Sequence, residues 1–291
     1  AMGNIATGTL ADVGISKLLD AWNAAFSDYK VKIDMTEWLL SSFMKQNGVQ
    51  LEKSIGAFDG EELIGIWLNG MRTIDGVSSA YDSGTAIHPE YRSKGISGMM
   101  AKKSGEVIRA YGVEQYILEV FTDNERAKGV YLKDGFEITR ELICFKNKTP
   151  ISTTEGSLGN DITFKESAID DEFMNARSKM EYVPSWQNRD EAVHAIAGQM
   201  RAVNISAGGR AMGYGIMQTT RGRIPQIGFA DDAWNTDIPS MLLGKLCSLL
   251  TEVSEVAIIN VDVNATNTIK LFRDAGFEEM VRSYEMKKNI T

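Results

Sequence analysis

Apolar positions recur at helical spacing in ISKLLDAWNAAF, where Ile15, Leu18, Leu19, Trp22 and Phe26 share one face. TEWLLSSFMKQ follows, with Thr36 placed to cap it, so residues 15–46 read as helical. Beyond them the period shortens to strand alternation. Asp59-Gly60 and Asp75-Gly76 fit tight turns that join Ile55–Phe58, Leu63–Asn69 and Ser78–Ile87 into an antiparallel meander. A helix is expected over Ser97–Tyr111 with Gly112 as its C-cap. A short buried strand (Tyr116–Phe121), a helix (Glu125–Lys133, closed by Gly135) and a strand (Phe136–Phe145) complete this half. The strand-helix-strand step around Ser97–Tyr111 requires two neighbouring parallel strands. The expected class is therefore α/β, an α+β arrangement on a mixed sheet.

KNKTPISTTEGSLGND (146–161) is polar and carries Pro150, two glycines and several Ser/Thr. It predicts modules at 1–148 and 161–291 with a linker at 149–160. The second half repeats the plan. Helices are expected over Ile169–Met180, Asp190–Val203, Pro239–Leu250 and Thr266–Arg273, and strands over Gly213–Gln218, Pro225–Phe229, Val256–Val263 and Phe277–Met286. KDGFE (133–137) and DAGFE (274–278) each stand between a helix and a final strand, so the chain reads as a degenerate tandem duplication.

Composition narrows the function classes. In 291 residues, 43% are apolar, 24% are charged and the net charge is −8. The acid excess falls in both halves; it disfavours nucleic acid and suits a cationic substrate. Cys144 and Cys247 sit in apolar surroundings and read as buried thiols of a reducing cytosol. Two histidines do not build a His-rich centre, so no metal is expected. No run approaches the ~20 apolar residues of a membrane span, and no signal-peptide pattern opens the chain. A cytoplasmic protein is expected.

The chemistry concentrates in TAIHPEYRSKGISGMM (85–100), a strand end, a Pro turn, a basic glycine-bearing loop and a helix start. Free N–H groups at a helix N-terminus, beside Arg92 and Lys94, make a phosphate cradle. The plain alternative is a surface loop with incidental charge. Within the stretch, Arg92-Ser93-Lys94-Gly95-Ile96-Ser97 resembles the Arg/Gln-x-x-Gly-x-Gly/Ala pyrophosphate loop of the GNAT N-acetyltransferase superfamily, with Ser97 where that family has Gly or Ala. Ile87-His88-Pro89-x-Tyr91 before it is also typical of the superfamily. So is Asn124-x-x-Ala127-x-x-x-Tyr131-x-x-x-Gly135-Phe136 after it. The resemblance covers 1–148; over 161–291 it is one of layout. It implies a tandem GNAT-like acyl-CoA N-acyltransferase fold of two modules.

That resemblance implies an acetyl-CoA-dependent N-acetyltransferase in which a primary amine attacks the thioester directly. The acceptor would be a small molecule or a peptide. The N–H groups of Arg92, Ser93, Lys94, Gly95, Ile96 and Ser97 would hold the diphosphate, screened by the two cations. An N–H near Ile87 would polarise the thioester carbonyl. Tyr131 matches the family's general acid, since a phenol is protonated at neutral pH and can serve the leaving thiolate. Glu119, in LEV, matches the general base of the ribosomal-protein alanine acetyltransferases; Asp82 and Glu90 are further carboxylates near the cleft. Asn124 would bond the pantetheine or cap a helix. Structural alternatives stand beside these roles: Tyr131 as a core tyrosine with Ala127 and Leu132, Glu119 as a carboxylate satisfied by a neighbour, His88 as a loop residue and Trp186 as a packing residue. The second module has no glycine loop, places Asp231, Asp232 and Asp237 where phosphates would sit, and has Phe272 at the tyrosine position. It is expected to lack a cofactor site and to cover the first module, shape the acceptor cleft or join two copies as a homodimer. A rival reading is an acyl-CoA-binding sensor or pseudoenzyme without turnover.

Overall fold

The computed structural model describes residues 5–28, 35–148 and 161–290. The expected linker, 149–160, lies outside them. The chain divides into two units, each with its own core.

The first unit comprises Ala1–Glu119, Arg126–Ile138 and Met286–Thr291. It opens with β1 (Ile5–Thr9), a strand the apolar pattern does not announce because IATGT is short and half polar. The expected helices are α1 (Ile15–Ala25) and α2 (Glu37–Asn47). Thr36 caps α2 by accepting the Leu39 N–H at 3.2 Å, and the left-handed Gly48 ends it. The meander is β2 (Ile55–Asp59), β3 (Glu62–Ile74) and β4 (Val77–Ile87). Next come α3 (Ile96–Ala110), β5 (Gln115–Phe121) and α4 (Glu125–Lys133). β1 to β4 pair antiparallel in chain order, and β4 pairs parallel with β5.

Strand alternation gives this sheet two covered faces. Ile66, Leu68 and Ala86 join Leu18, Trp22 and Leu40 in the core beneath α1 and α2. Gly65 and Ile87 face α3; a Cβ at Gly65 would stand 3.0 Å from Met100 Sδ.

The second unit comprises Val120–Glu125 and Thr139–Glu285. Its elements are β6 (Glu137–Asn147), β7 (Ile162–Ser167), α5 (Asp171–Ala176), α6 (Asp190–Ala195), β8 (Met200–Ala207), β9 (Arg210–Gln218), β10 (Arg223–Phe229), α7 (Ile238–Cys247), β11 (Val256–Asp262), α8 (Thr266–Asp274) and β12 (Glu278–Asn289). Strands lie in the order β6-β11-β10-β9-β8-β7. One expected element changes. The helix over Asp190–Val203 stops at Ala195, and after a turn through Gly198 the chain extends as β8.

The linear partition at 1–148 and 161–291 also changes. β6 pairs antiparallel with β11 from Asn147↔Val256 to Leu142↔Asp262. Its Ile143 and Phe145 enter the second unit's core with Ile258, Val261 and Phe272. Reciprocally, residues 286–290 belong to the first unit: the Ile290 N–H donates to Glu114 O at 2.8 Å, and Lys288 Nζ meets Asp134 Oδ2 at 2.9 Å. Each unit thus takes one closing strand from the far half of the chain. No helix among the described residues is long and apolar enough to cross a membrane.

Candidate active site

The site is built where β4 and β5 part. Their parallel pairing runs through Ser79↔Gln115, Ala80↔Tyr116 and Tyr81↔Ile117, then stops, although β4 continues to Ile87 and β5 to Phe121. Against β3, Leu68 pairs with Gly84 and Asn69 with Asp82, so Ser83 is an extra residue. Such a bulge bends its strand, and this one stands at the point of separation. The His88 N–H donates to Ile64 O at 2.8 Å. In an antiparallel ladder the preceding residue then directs its N–H and C=O the other way. Ile87 therefore presents its N–H to the opening, the position at which the family resemblance implies a carbonyl-polarising donor.

The loop after β4 leads into the start of α3. Ser93 (φ 62) and Gly95 (φ 79) both adopt the left-handed conformation. Gly95 is the N-cap of α3, and the Gly98 and Met99 N–H groups turn back to its carbonyl. The five consecutive N–H groups of Ser93, Lys94, Gly95, Ile96 and Ser97 have no acceptor among the described residues. Ser93, Lys94, Gly95 and Ser97 are exposed. Concerted free donors at a positive helix end are what an oxyanion requires. Ser97 is small, and its N–H is one of the set.

Arg92 departs from its expected role. Its N–H is taken by Pro89 O at 3.2 Å. Its guanidinium donates to Ile87 O (3.0 Å), Ala25 O (2.8 Å) and both Asp28 oxygens (2.5 and 2.9 Å). That pairing holds the Asp28 carboxyl below its ordinary pKa. Arg92 is a latch that ties the loop to the end of β4 and to α1, and its charge is neutralised. Lys94, 4.9 Å from the Tyr91 ring centroid, has no acidic partner among the described residues. Sequence spacing carries no signal for Asp28, which lies 64 positions from Arg92.

On the α3 face a buried polar network underlies the opening. The Tyr116 hydroxyl donates to Asn69 Oδ1 (2.5 Å) and accepts from Trp67 Nε1 (2.6 Å), while Asn69 Nδ2 donates to Ser104 Oγ of α3 (3.0 Å). Asp82 accepts from the Gly84 N–H (3.1 Å) and from Thr85 Oγ1 (2.9 and 3.0 Å). Burial raises its pKa to about 6 against those bonds. Burial and the nearby Asp82 charge push the Tyr116 phenol well up.

Tyr131, on α4, packs edge-on against Phe136 at 5.6 Å, and Phe136 in turn meets Tyr116 at 5.9 Å. The ring series carries Tyr131 to the α3 face of β5. Leu118 and Val120 are buried there with Tyr116, so alternation turns Glu119 to the opposite face, that of α1 and α2. The two expected acid–base groups therefore approach the sheet from opposite sides. Asn124 is exposed ahead of α4, and its N–H donates to Phe121 O at 3.0 Å. It falls in the segment grouped with the second unit.

The second unit has the same opening, filled by its own chain. β10 and β11 pair only at Arg223↔Ala257. Beyond that point the turn Ser185–Asn188 bridges the strands: Asn188 Nδ2 donates to Ile259 O (2.9 Å), Gln226 Nε2 to Asn188 O (2.8 Å) and Asn260 Nδ2 to Ser185 Oγ (3.2 Å). Trp186 is 2% exposed within it. Glu181 accepts the Asn267 and Thr268 N–H groups (3.1 and 2.8 Å) and so occupies the start of α8. At the start of α7, Pro239 removes one N–H and Asp232 pairs with Arg210. Phe272 is fully buried, stacked on Phe145 and edge-on to Phe277.

Residues 16–136 match the model of the Acetyltransferase (GNAT) family. No curated protein matches the sequence. Among solved structures, a tandem GNAT protein from the clavulanic acid biosynthesis pathway is 14% identical with TM-score 0.73, covering 99% of both chains. A GCN5-related N-acetyltransferase from Sphaerobacter thermophilus is 14% identical with TM-score 0.72, over 98% of this chain and 96% of that one. A GCN5-related glucosamine N-acetyltransferase region of a fungal multi-domain GH3 beta-N-acetylglucosaminidase is 12% identical with TM-score 0.74, over 99% of this chain and 38% of that one.

Proposed function

Because residues 16–136 match the model of the Acetyltransferase (GNAT) family and the whole chain has the fold of a tandem GNAT protein, we propose that this protein is an acetyl-CoA-dependent N-acetyltransferase with one working cofactor site, in its first unit. The observation that carries the reading is the set of five free N–H groups, Ser93 to Ser97, beside an opening between β4 and β5.

Acetyl-CoA supplies the acetyl group as an activated thioester. The cradle N–H groups bind its diphosphate, with Lys94 adding charge. The Ile87 N–H, directed into the opening, stabilises negative charge that develops on the acyl oxygen. Glu119, on the α1 and α2 face, accepts the proton that the attacking amine must lose. Tyr131, on the α3 face, donates its proton to the sulfur as the C–S bond breaks and the C–N bond forms. Asp82, bonded to Thr85 and Gly84 under α3, keeps the parted strands in shape. The second unit holds no cofactor, since Ser185–Asn188 fills the corresponding opening.

The acceptor is a primary amine of a small molecule or peptide. The net charge of −8 favours a cationic one, and the name of the fungal relative puts aminosugars in the panel to be tried. Both thiols are buried and neither is in a disulfide, which suits a cytoplasmic setting. Calorimetric titration of the full chain is expected to give one acetyl-CoA per chain, and Gly95→Asp is expected to abolish it by placing a carboxylate at the cradle. No binding to the wild type would overturn the reading. Thiol release across amines, aminosugars, polyamines and peptide N-termini then separates an enzyme from a sensor, which binds without releasing thiol.

A further inference from the structure

Two arginines of the second unit have no part in acetyl transfer. Arg221 and Arg223 flank Gly222 at the entry to β10, and both are part-buried. Neither makes a side-chain hydrogen bond or ion pair among the described residues. The Thr220 hydroxyl, one residue before them, is buried without a hydrogen-bond partner there. Burial draws both guanidinium pKa values down, Arg221 further through the charge of Arg223. A guanidinium does not escape this cost by losing its proton. Buried charge is ordinarily paired, so two unpaired cations side by side call for an anion.

Strand register adds a third cation. Arg223 pairs with Ala257, and Ala257 pairs with Lys146 of β6. Residues in one row of adjacent strands share a face, at about 4.8 Å per strand, so Arg223 and Lys146 stand roughly 10 Å apart on the same face. Between them Ala257 contributes only a methyl group. Glu255 acts on Arg223 and lies 3.9 Å from Lys146, but it is 42% exposed and is a single negative charge against three cations.

We propose that Arg221, Arg223 and Lys146 form a binding site for an oxyanion group, a phosphate or a carboxylate, carried by a small ligand. Two planar guanidinium forks suit bidentate capture of such a group, and the Thr220 hydroxyl can add a donor.

The test is thermal unfolding of the full chain at constant ionic strength, in chloride, in inorganic phosphate and in a dicarboxylate such as malonate. Wild type is expected to gain about 3 °C or more at saturating phosphate or malonate over chloride; the better of the two arms identifies the source. Arg223→Gln and Arg221→Gln are expected to lose the gain, and Lys146→Gln to reduce it. In chloride alone the two arginine variants are expected to be at least as stable as wild type, because each removes an uncompensated buried charge. Three results overturn the proposal: no gain with either anion, an equal gain in Arg223→Gln, or arginine variants destabilised in chloride with the gain retained in Lys146→Gln. The last would make the arginines structural.

Discussion

Asp82 makes the first unit's stability depend on pH in an unusual sense. Its folded pKa rises from 3.8 to about 6 because burial outweighs the bonds from Thr85 and Gly84. A carboxyl that holds its proton more tightly when folded stabilises the fold below its unfolded pKa, near 4, and that contribution is lost as pH climbs through 6. The whole difference is about 3 kcal/mol at most. Since Asp82 is only part-buried, ~1–2 kcal/mol is the expected size. Asp82→Asn keeps an oxygen that accepts from Gly84 and Thr85 and never ionises. The variant is expected to match wild type near pH 4.5 and to exceed it by ~1–2 kcal/mol at pH 7.5. Urea unfolding followed by fluorescence at half-unit pH steps measures the difference directly. A variant less stable than wild type at pH 7.5, or a difference that is flat across pH 4.5–7.5, would refute the account of Asp82 as a strained carboxylate.

Other expectations concern single side chains. Tyr131→Phe should lower kcat by about 10²–10⁴-fold while the calorimetric Kd for acetyl-CoA changes less than threefold; unchanged turnover would remove Tyr131 as the acid. Trp186→Ala should cost about 3–5 kcal/mol in urea unfolding, because a large side chain that is 2% exposed leaves a cavity. A loss under 1 kcal/mol would mean that the Ser185–Asn188 turn does not support the second unit's core.

What the sequence shows best is periodicity. α1, α2 and the meander follow from runs such as ISKLLDAWNAAF and from two Asp-Gly turns, because local burial dictates them. β1 and β7 escape notice, since IATGT and ITFKES gain their order from pairing with β2 and β8 rather than from apolar alternation. AVHAIAGQMRAV suits a helix by composition, yet the strand ladder with β9 claims it from Met200. The cradle is legible for the same reason as the helices: its geometry is local to Ser93–Ser97. The role of Arg92 is not, because a cation in a phosphate loop looks alike whether it faces a ligand or an aspartate 64 positions away. The parting of β4 from β5, the bulge at Ser83 and the filling of the second opening by Trp186 and Asn188 are properties of strand pairing. No window of sequence contains them.

The reciprocal closing strands govern how this chain can be made. Residues 139–147 leave the ribosome before most of the unit they complete, and residues 286–290 leave only after the second unit. The first unit, which carries the cradle, therefore cannot finish its sheet beside Glu114 during synthesis of its own half. It must wait with β5 uncovered until residue 290 is free, a long exposure for an unpaired strand edge. A gene fragment ending near residue 148 would encode the whole cradle and still lack the strand that closes its sheet.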